Sequence, residues 1–341
     1  MRIMDSGLFD YILPKEMIAQ HPAGERSSSR LLVFNRGEER IEHCSFRDIV
    51  HYVRKGDVLV LNDSKVFPAR LRGIKDSGGS IDILLVERIG EKKWHCLANR
   101  MKQGTTELIV SIGSIKAKLI KHADFWMIEF LCSDDDYSII QQHGQMPLPP
   151  YIKRKKTNSI DFERYQTIYA EMEGSIAAPT AGFHFTKELL ERIENIGVNI
   201  VKITLHIGIG TFYLIKKQCI EEHKMHREYY QIAGDVKDYI KCAKNEGRRI
   251  IACGTSVVRT LETAYTANGS TPLNAYTELF IYPGYKFKIV DALITNFHLP
   301  KSTPLLLASA FAGKDGLLKC YSEAIDRDYR FYSYGDSMFI I

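Results

Sequence analysis

Residues 249–262 read Arg249-Ile250-Ile251-Ala252-Cys253-Gly254-Thr255-Ser256-Val257-Val258-Arg259-Thr260-Leu261-Glu262, and this stretch decides the fold class. Arg249 to Cys253 is an apolar run short enough for a buried strand, Gly254 to Ser256 is a turn of small residues, and Val257 to Thr266 reads as a helix. Such a turn leaves amide groups and the positive end of a helix dipole facing a cleft, an arrangement that holds phosphate or carboxylate. Arg259 and Glu262 stand three apart and share a helical face; a capped helix carrying a surface ion pair is the alternative.

Working outward, the same rhythm continues on both sides. Leu189, Leu190, Ile193 and Ile196 follow helical spacing behind a Thr186 cap, with Gly197 as the stop. Asn199 to Ile207 alternates as a strand, and Val236, Tyr239, Ile240 and Ala243 mark a helix that Gly247 ends. Further on, Ser302 or Thr303 caps a helix with Pro304 in its first turn and Gly313 after its last. Leu317, Leu318, Tyr321, Ala324 and Ile325 make a final amphipathic helix. Strand alternating with helix predicts an α/β core, a mixed sheet with flanking helices.

Residues 57–150 differ. Asp57-Val58-Leu59-Val60-Leu61-Asn62 opens a series of short apolar or alternating runs punctuated by Gly, Asn, Asp and Lys, as in a small barrel. A polar helical connection from Asp134 ends at Met146-Pro147-Leu148-Pro149-Pro150. The expected organisation is therefore an α/β catalytic core over 1–56 and 151–341, carrying a smaller β-barrel-like domain over 57–150.

Composition narrows the classes. The chain has 341 residues, 45% hydrophobic and 26% charged, with 46 Lys and Arg against 41 Asp and Glu. The net charge of +5 fits nucleic-acid contact at a local patch but decides nothing alone. Its 7 cysteines are scattered with no Cys-x-x-Cys pair, which argues against a disulfide framework or zinc ribbon. The start, Met1-Arg2-Ile3-Met4-Asp5, leads into no apolar segment of a signal peptide, and Pro304 to Phe311 is far short of the roughly 20 residues a membrane span needs. A cytoplasmic protein with no membrane contact is expected. No Walker loop, GxSxG elbow or HExxH motif occurs.

Several constellations can carry chemistry. His206 ends a strand before the turn Gly208-Ile209-Gly210-Thr211; no third glycine or helix follows, so a dinucleotide fingerprint is rejected, although the glycines permit close approach by a ligand. His184 lies between two phenylalanines in Phe183-His184-Phe185, where a satisfied core histidine is the default. His223 and His226 sit among acids, yet no third ligand supports a metal. Asn62 and Asp63 suit a hydroxyl pair or purine edge and Arg70 an anion, against ordinary turn chemistry. Lys153-Arg154-Lys155-Lys156 is either a solvated run or, beside Tyr151 and Tyr165, a hold on an RNA backbone.

Taken together these blocks resemble one family nearly end to end. FDYILPKEMIAQHP, SSSRLLVF, GDVLVLNDSKVFPARL, MPLPPYI, GSIAAPTAGFHFT, TLHIGIGTF, IEEHKMHREYY and LFIYPGYKFKIVDALITNFHLPKSTPLLLASAFAG are similar to the S-adenosylmethionine:tRNA ribosyltransferase-isomerase family of queuosine biosynthesis. The family's usual AVGTTSVRTLE appears with Ser256 and Val257, so one hydroxyl is lost while the Gly-Thr turn and Arg259 remain. The resemblance implies an α/β core with a smaller barrel. It also implies S-adenosylmethionine as ribosyl-donor substrate, no true cofactor and no metal. The acceptor it implies is 7-aminomethyl-7-deazaguanine at the tRNA wobble position, with epoxyqueuosine-tRNA, adenine and methionine as products.

On that reading His206 or His184 moves the proton, because imidazole titrates nearest neutrality. Asn62, Asp63, Arg70, Gly208, Gly210, Thr211, His223, His226, Gly254, Thr255, Arg259, Glu262, Asp291, Asn296 and His298 are expected to meet substrate, with Lys153 to Lys156 on the tRNA; a monomer is expected. Two rivals remain at this level. An S-adenosylmethionine-dependent RNA methyltransferase would need a GxGxG loop that is missing, and a non-enzymatic RNA-binding module would leave the polar constellations of the second half without purpose.

Overall fold

Val58–Asn62 is buried at every position and so needs cover on both faces; it forms a strand in the interior of a nine-stranded sheet. The computed structural model describes residues 4–122, 125–154, 159–212, 215, 217–266 and 272–341. From edge to edge the sheet runs Asn274–Thr277, Glu228–Gln231, Asn199–Leu205, Val58–Asn62, Ile250–Cys253, Ala292–Asn296, Ser337–Ile340, Arg30–Asn35 and Arg40–Ser45. The strands from Asn199–Leu205 through Ala292–Asn296 are parallel. Antiparallel pairs flank them, with Glu228–Gln231 on one side and Ser337–Ile340 on the other. Ser337–Ile340 then runs parallel to Arg30–Asn35, Leu31 opposite Ser337.

Because successive side chains in a strand point to opposite faces, each interior strand feeds two cores. Val58, Val60, Ile250 and Ala252 pack with Ile240, Leu261 and Leu305 from the helices Gly234–Asn245, Thr255–Thr266 and Thr303–Ala312. Leu59, Leu61, Ile251 and Cys253 pack with Phe46, and with Leu189 and Ile193 of the helix Lys187–Asn195. The predicted caps are present. Thr186 Oγ1 accepts from the Leu189 amide at 3.2 Å, and Ser302 Oγ from the Leu305 amide at 3.4 Å.

The chain divides into two compact units: Met1–Lys65, Pro150–Lys153 and Arg164–Ile341 make the first, Val66–Pro149 and Arg154–Glu163 the second. The second unit is a closed antiparallel barrel in the order Phe125–Phe130, Lys93–Ala98, Ser80–Gly90, Arg70–Lys75, Glu107–Ile112 and Ile115–His122. Leu71, Ile81, Ile83, Cys96, Leu119 and Ile128 fill it. After the barrel, Asp136 heads the helix Asp136–His143 and accepts from the Arg88 guanidinium at 2.8 and 3.0 Å and from the Trp94 indole at 2.8 Å. The fold is thus an α/β core, a mixed sheet with flanking helices, plus a smaller barrel.

Both boundaries of the module differ from the expectation. Val58–Asn62, assigned by sequence to the β-rich module of 57–150, belongs to the large sheet, and residues 154–163 group with the barrel. A run buried on both faces reads the same whichever sheet receives it. Among the described residues no helix is long and apolar enough to cross a membrane.

Candidate active site

Asn62, Leu205, Cys253 and Asn296 each end one of the parallel strands, and beyond these carboxyl ends, within the first unit, lies a cavity of about 330 Å³. Ligands in open α/β sheets bind in this position. The strand-to-helix turn supplies part of the wall. Gly254 has φ +98°, a backbone that favours glycine, and passes the chain from Cys253 into the helix at Thr255. Gly254, Thr255, Ser256 and Arg259 all line the cavity, so the amino-terminal turn of the helix, whose first amides have no partner within it, forms part of the wall. Thr295, Asn296 and His298 form another part, and Tyr151, Tyr165, Tyr332 and Phe280 give aromatic surface.

Arg259 does not pair with Glu262. It is only 7% exposed, and its guanidinium donates to the Glu228 carboxylate, itself 3% exposed and on the same wall. Arg259 Nε also donates to the Leu279 carbonyl at 3.0 Å, and the Gly208 amide donates to Glu228 Oε1 at 2.9 Å. Glu228 was not singled out by sequence; its signal is an acidic residue heading the alternating strand Glu228–Gln231, directly after the His-rich segment.

Three histidines stand at or near this region, and of them His298 lines the cavity. His206 follows the end of Asn199–Leu205 and precedes Ile207 of the cavity wall. Its Nδ1 shares a 2.8 Å hydrogen bond with Ser64 Oγ and its ring stacks on Tyr229 with centroids 5.9 Å apart. A Cβ at Gly174 would stand 2.6 Å from His206 Nε2, so that glycine makes room for the ring. Burial lowers the His206 pKa, keeping the imidazole neutral. His184, 3% exposed, has both nitrogens engaged, Nδ1 with Ser29 Oγ at 2.7 Å and Nε2 with Asn296 Nδ2 at 3.2 Å. Burial, with Arg26 and Arg330 adding to it, pushes its pKa down to about 3, and burial does the same to His298.

Acid sensitivity follows. Both imidazoles are neutral when folded and take up protons on unfolding from an ordinary value of 6.5, so below that pH the unfolded state binds more protons and stability falls as pH drops. Urea midpoints measured from pH 6.5 down to about 4.5, above most carboxylate titration, are expected to decline less steeply in His184→Gln than in the unsubstituted protein. Equal slopes would contradict this.

The structure sorts the other predicted residues. Gly254, Thr255, Arg259, Asn296 and His298 meet at the cavity. Asn62 stands behind it, donating to Ser256 Oγ at 3.2 Å and to the Leu205 carbonyl at 3.0 Å. Asp63 accepts from Thr204 Oγ1 at 2.7 Å, and burial raises its pKa against that bond. Gly208 reaches the site through Glu228, and Gly210 packs close to His226. Thr211 lies in the turn Ile209–Phe212, its side chain outside the described residues. The His223 ring sits 5.1 Å from that of Phe280, with its pKa lowered by burial and by His226.

Four of the remaining predicted residues are held by partners within the fold. Glu262 is fully buried; it accepts from the Tyr285 hydroxyl and the amides of Lys288, Ile289 and Val290, which places it in the core of the fold. Asp291 accepts from Lys244 Nζ at 2.5 Å and the Ile250 amide at 2.9 Å. It precedes the strand Ala292–Asn296, so it stands at the strand's amino end, about 16 Å from the cavity end at roughly 3.3 Å per residue. Arg70 belongs to the barrel unit, where it donates to the Leu148 carbonyl at 3.0 Å. Arg154, read as a phosphate contact, has its guanidinium on buried Asp161 at 3.2 Å; Lys155 and Lys156 lie outside the described residues. Among the described residues no group of three or more His, Cys, Asp or Glu could hold a metal ion.

A mixed sheet covered by helices, a partly polar cavity beyond the carboxyl ends of its parallel strands, and a separate antiparallel barrel define a two-unit α/β protein with its cavity where ligands of open α/β sheets bind. The model of the queuosine biosynthesis protein family matches residues 7–340, and the chain belongs to that family. It is 48% identical over 339 residues to the S-adenosylmethionine:tRNA ribosyltransferase-isomerase of Desulforamulus reducens, covering 98% of each chain. To the protein of the same name from Thermosipho africanus it is 50% identical over 337 residues, 97% of this chain and 98% of that one. The crystal structure of S-adenosylmethionine tRNA ribosyltransferase from Thermotoga maritima matches with a TM-score of 0.57 and 38% identity, over 98% of this chain and 100% of that one.

Proposed function

We propose that this chain is an S-adenosylmethionine:tRNA ribosyltransferase-isomerase. It moves the ribosyl group of S-adenosylmethionine onto 7-aminomethyl-7-deazaguanine at the tRNA wobble position and isomerises it, giving epoxyqueuosine-tRNA. The acceptor's amine nitrogen gains the sugar carbons, while adenine and methionine leave with the electron pairs of the bonds they break. The observation that carries this reading is the cavity of about 330 Å³, in a chain that matches ribosyltransferase-isomerases over nearly its whole length.

The cavity's chemistry suits such a donor. Tyr151, Tyr332 and Phe280 offer faces to a purine, and the Gly254–Thr255 turn offers amide donors at a helix N-terminus. His206, neutral and held by Ser64, serves as the base that takes the C5′ proton acidified by the neighbouring sulfonium. His184 is closed off by its two hydrogen bonds and acts through Asn296, whose amide side chain it orients beside the cavity. Lys153, with Lys155 and Lys156, contacts the tRNA phosphates. The acceptor base must leave its stack in the anticodon loop, a cost of a few kcal/mol that is least where pairing is absent. The chemistry as proposed uses no metal or redox cofactor, and the protein works in the cytoplasm as a monomer.

The test is direct. Purified protein incubated with S-adenosylmethionine and tRNA carrying 7-aminomethyl-7-deazaguanine is expected to release adenine and methionine in equal amounts. S-adenosylhomocysteine in place of adenine, or no small-molecule turnover, would overturn the reading.

A further inference from the structure

We infer that the buried Glu228–Arg259 pair is the seat of the donor's α-amino acid end, with Arg259 meeting its carboxylate and Glu228 its ammonium; this rests on the donor being S-adenosylmethionine, as proposed above. The two side chains are 3% and 7% exposed and both face the cavity. A buried ion pair is a poor source of stability, since apolar residues of the same volume often serve as well or better. Placing one in the wall of a cavity therefore asks for a reason in binding.

The surroundings hold the pair in place without exhausting it. Glu228 accepts from the Gly208 amide at 2.9 Å and from Arg259. Arg259 donates through Nε to Leu279 O at 3.0 Å, through Nη1 to Glu228 and through Nη2 to Thr277 O at 3.5 Å. A guanidinium has five N–H donors and a carboxylate about four acceptor positions, so each partner keeps about two. Those spare positions set the charge of the guest. The pair is already neutral, so a lone anion or a lone cation would leave net charge in a desolvated place, which burial penalises. A zwitterion adds one charge of each sign and leaves the group neutral. The free α-amino acid end of S-adenosylmethionine has that form, with its two charges on neighbouring carbons. Met225, Leu279 and Phe280 line the same cavity and give apolar wall to the methylene chain behind it.

The experiment compares three donors in adenine release at saturating tRNA: S-adenosylmethionine, its decarboxylated analogue, and its deaminated analogue that keeps the carboxylate. With the unsubstituted enzyme each deletion is expected to lower kcat/KM by about 10- to 100-fold, the range for a hydrogen bond to a charged group. In Arg259→Lys the penalty for the missing carboxylate should shrink while that for the missing amine persists, and Glu228→Gln should show the reverse. The unsubstituted enzyme needs no refolding control, which keeps the proposal falsifiable if a variant melts early. Equal use of the three donors, or unchanged preference ratios in both folded variants, would overturn the clamp. No adenine from S-adenosylmethionine itself would overturn the function, and the clamp with it.

Discussion

His206→Ala is expected to lower turnover by about 10²- to 10⁴-fold, the usual worth of a positioned proton-transfer group, with donor KM changed far less. The ring is oriented from one side by Ser64 Oγ at 2.8 Å, stacked on Tyr229, and given space by Gly174. Alanine removes the base and leaves the cavity wall at Ile207, Gly254 and Thr255 in place. The pH profile carries the same signature. Burial disfavours the imidazolium, so the folded enzyme keeps a neutral base below the ordinary 6.5, and the acid limb of kcat/KM should lie under that pH. Steady-state rates of adenine release from pH 5 to about 8 check both statements. A His206→Ala enzyme with full turnover would exclude this residue as the base.

Glu262→Ala is expected to cost about 3–5 kcal/mol of stability. The carboxylate holds the amides of Lys288, Ile289 and Val290 at 3.0, 3.0 and 3.1 Å and takes the Tyr285 hydroxyl at 3.1 Å. Alanine leaves the buried amides of Ile289 and Val290 without an acceptor, and each unsatisfied buried group costs about 1–3 kcal/mol. Glu262→Gln keeps one side-chain oxygen and should lose roughly 1–2 kcal/mol. Urea unfolding read by far-UV circular dichroism decides it; Ala and Gln variants as stable as the unsubstituted protein would show that the segment 288–290 finds other partners.

Local signals in the sequence were legible and distant ones were not. Thr186 before Leu189, Ser302 before Pro304, and the Cys253-Gly254-Thr255 turn each act within a few residues, and each behaves in the structure as its spacing predicts. The cavity end of that turn, with Asn296 and His298, follows from the rule that parallel strands present their carboxyl ends to ligands. Glu262, Asp291 and Arg154 read as functional because they are charged beside motif residues. Their partners, the amides 288–290, Lys244 with the Ile250 amide, and Asp161, are set by packing that no spacing rule encodes. Glu228 is the converse, an acid without a motif that becomes part of the wall only when the strand Glu228–Gln231 folds beside the helix Thr255–Thr266. Val58–Asn62 shows the limit for the fold, since an apolar pentad reveals burial but not which sheet buries it.

The pairing of Leu31 with Ser337 also has a meaning for synthesis. At about 5–20 residues per second, the ribosome needs roughly 15–60 s to make the chain between those two residues. Throughout that time the hairpin Arg30–Ser45 has no neighbour on its inner edge, and Leu32 and Phe34 await a core. The barrel strands pair mostly with close sequence neighbours and can close while the rest of the chain is still emerging. The nascent protein therefore passes through a stage with one finished unit and one open sheet, and that stage is when it most needs a chaperone's cover.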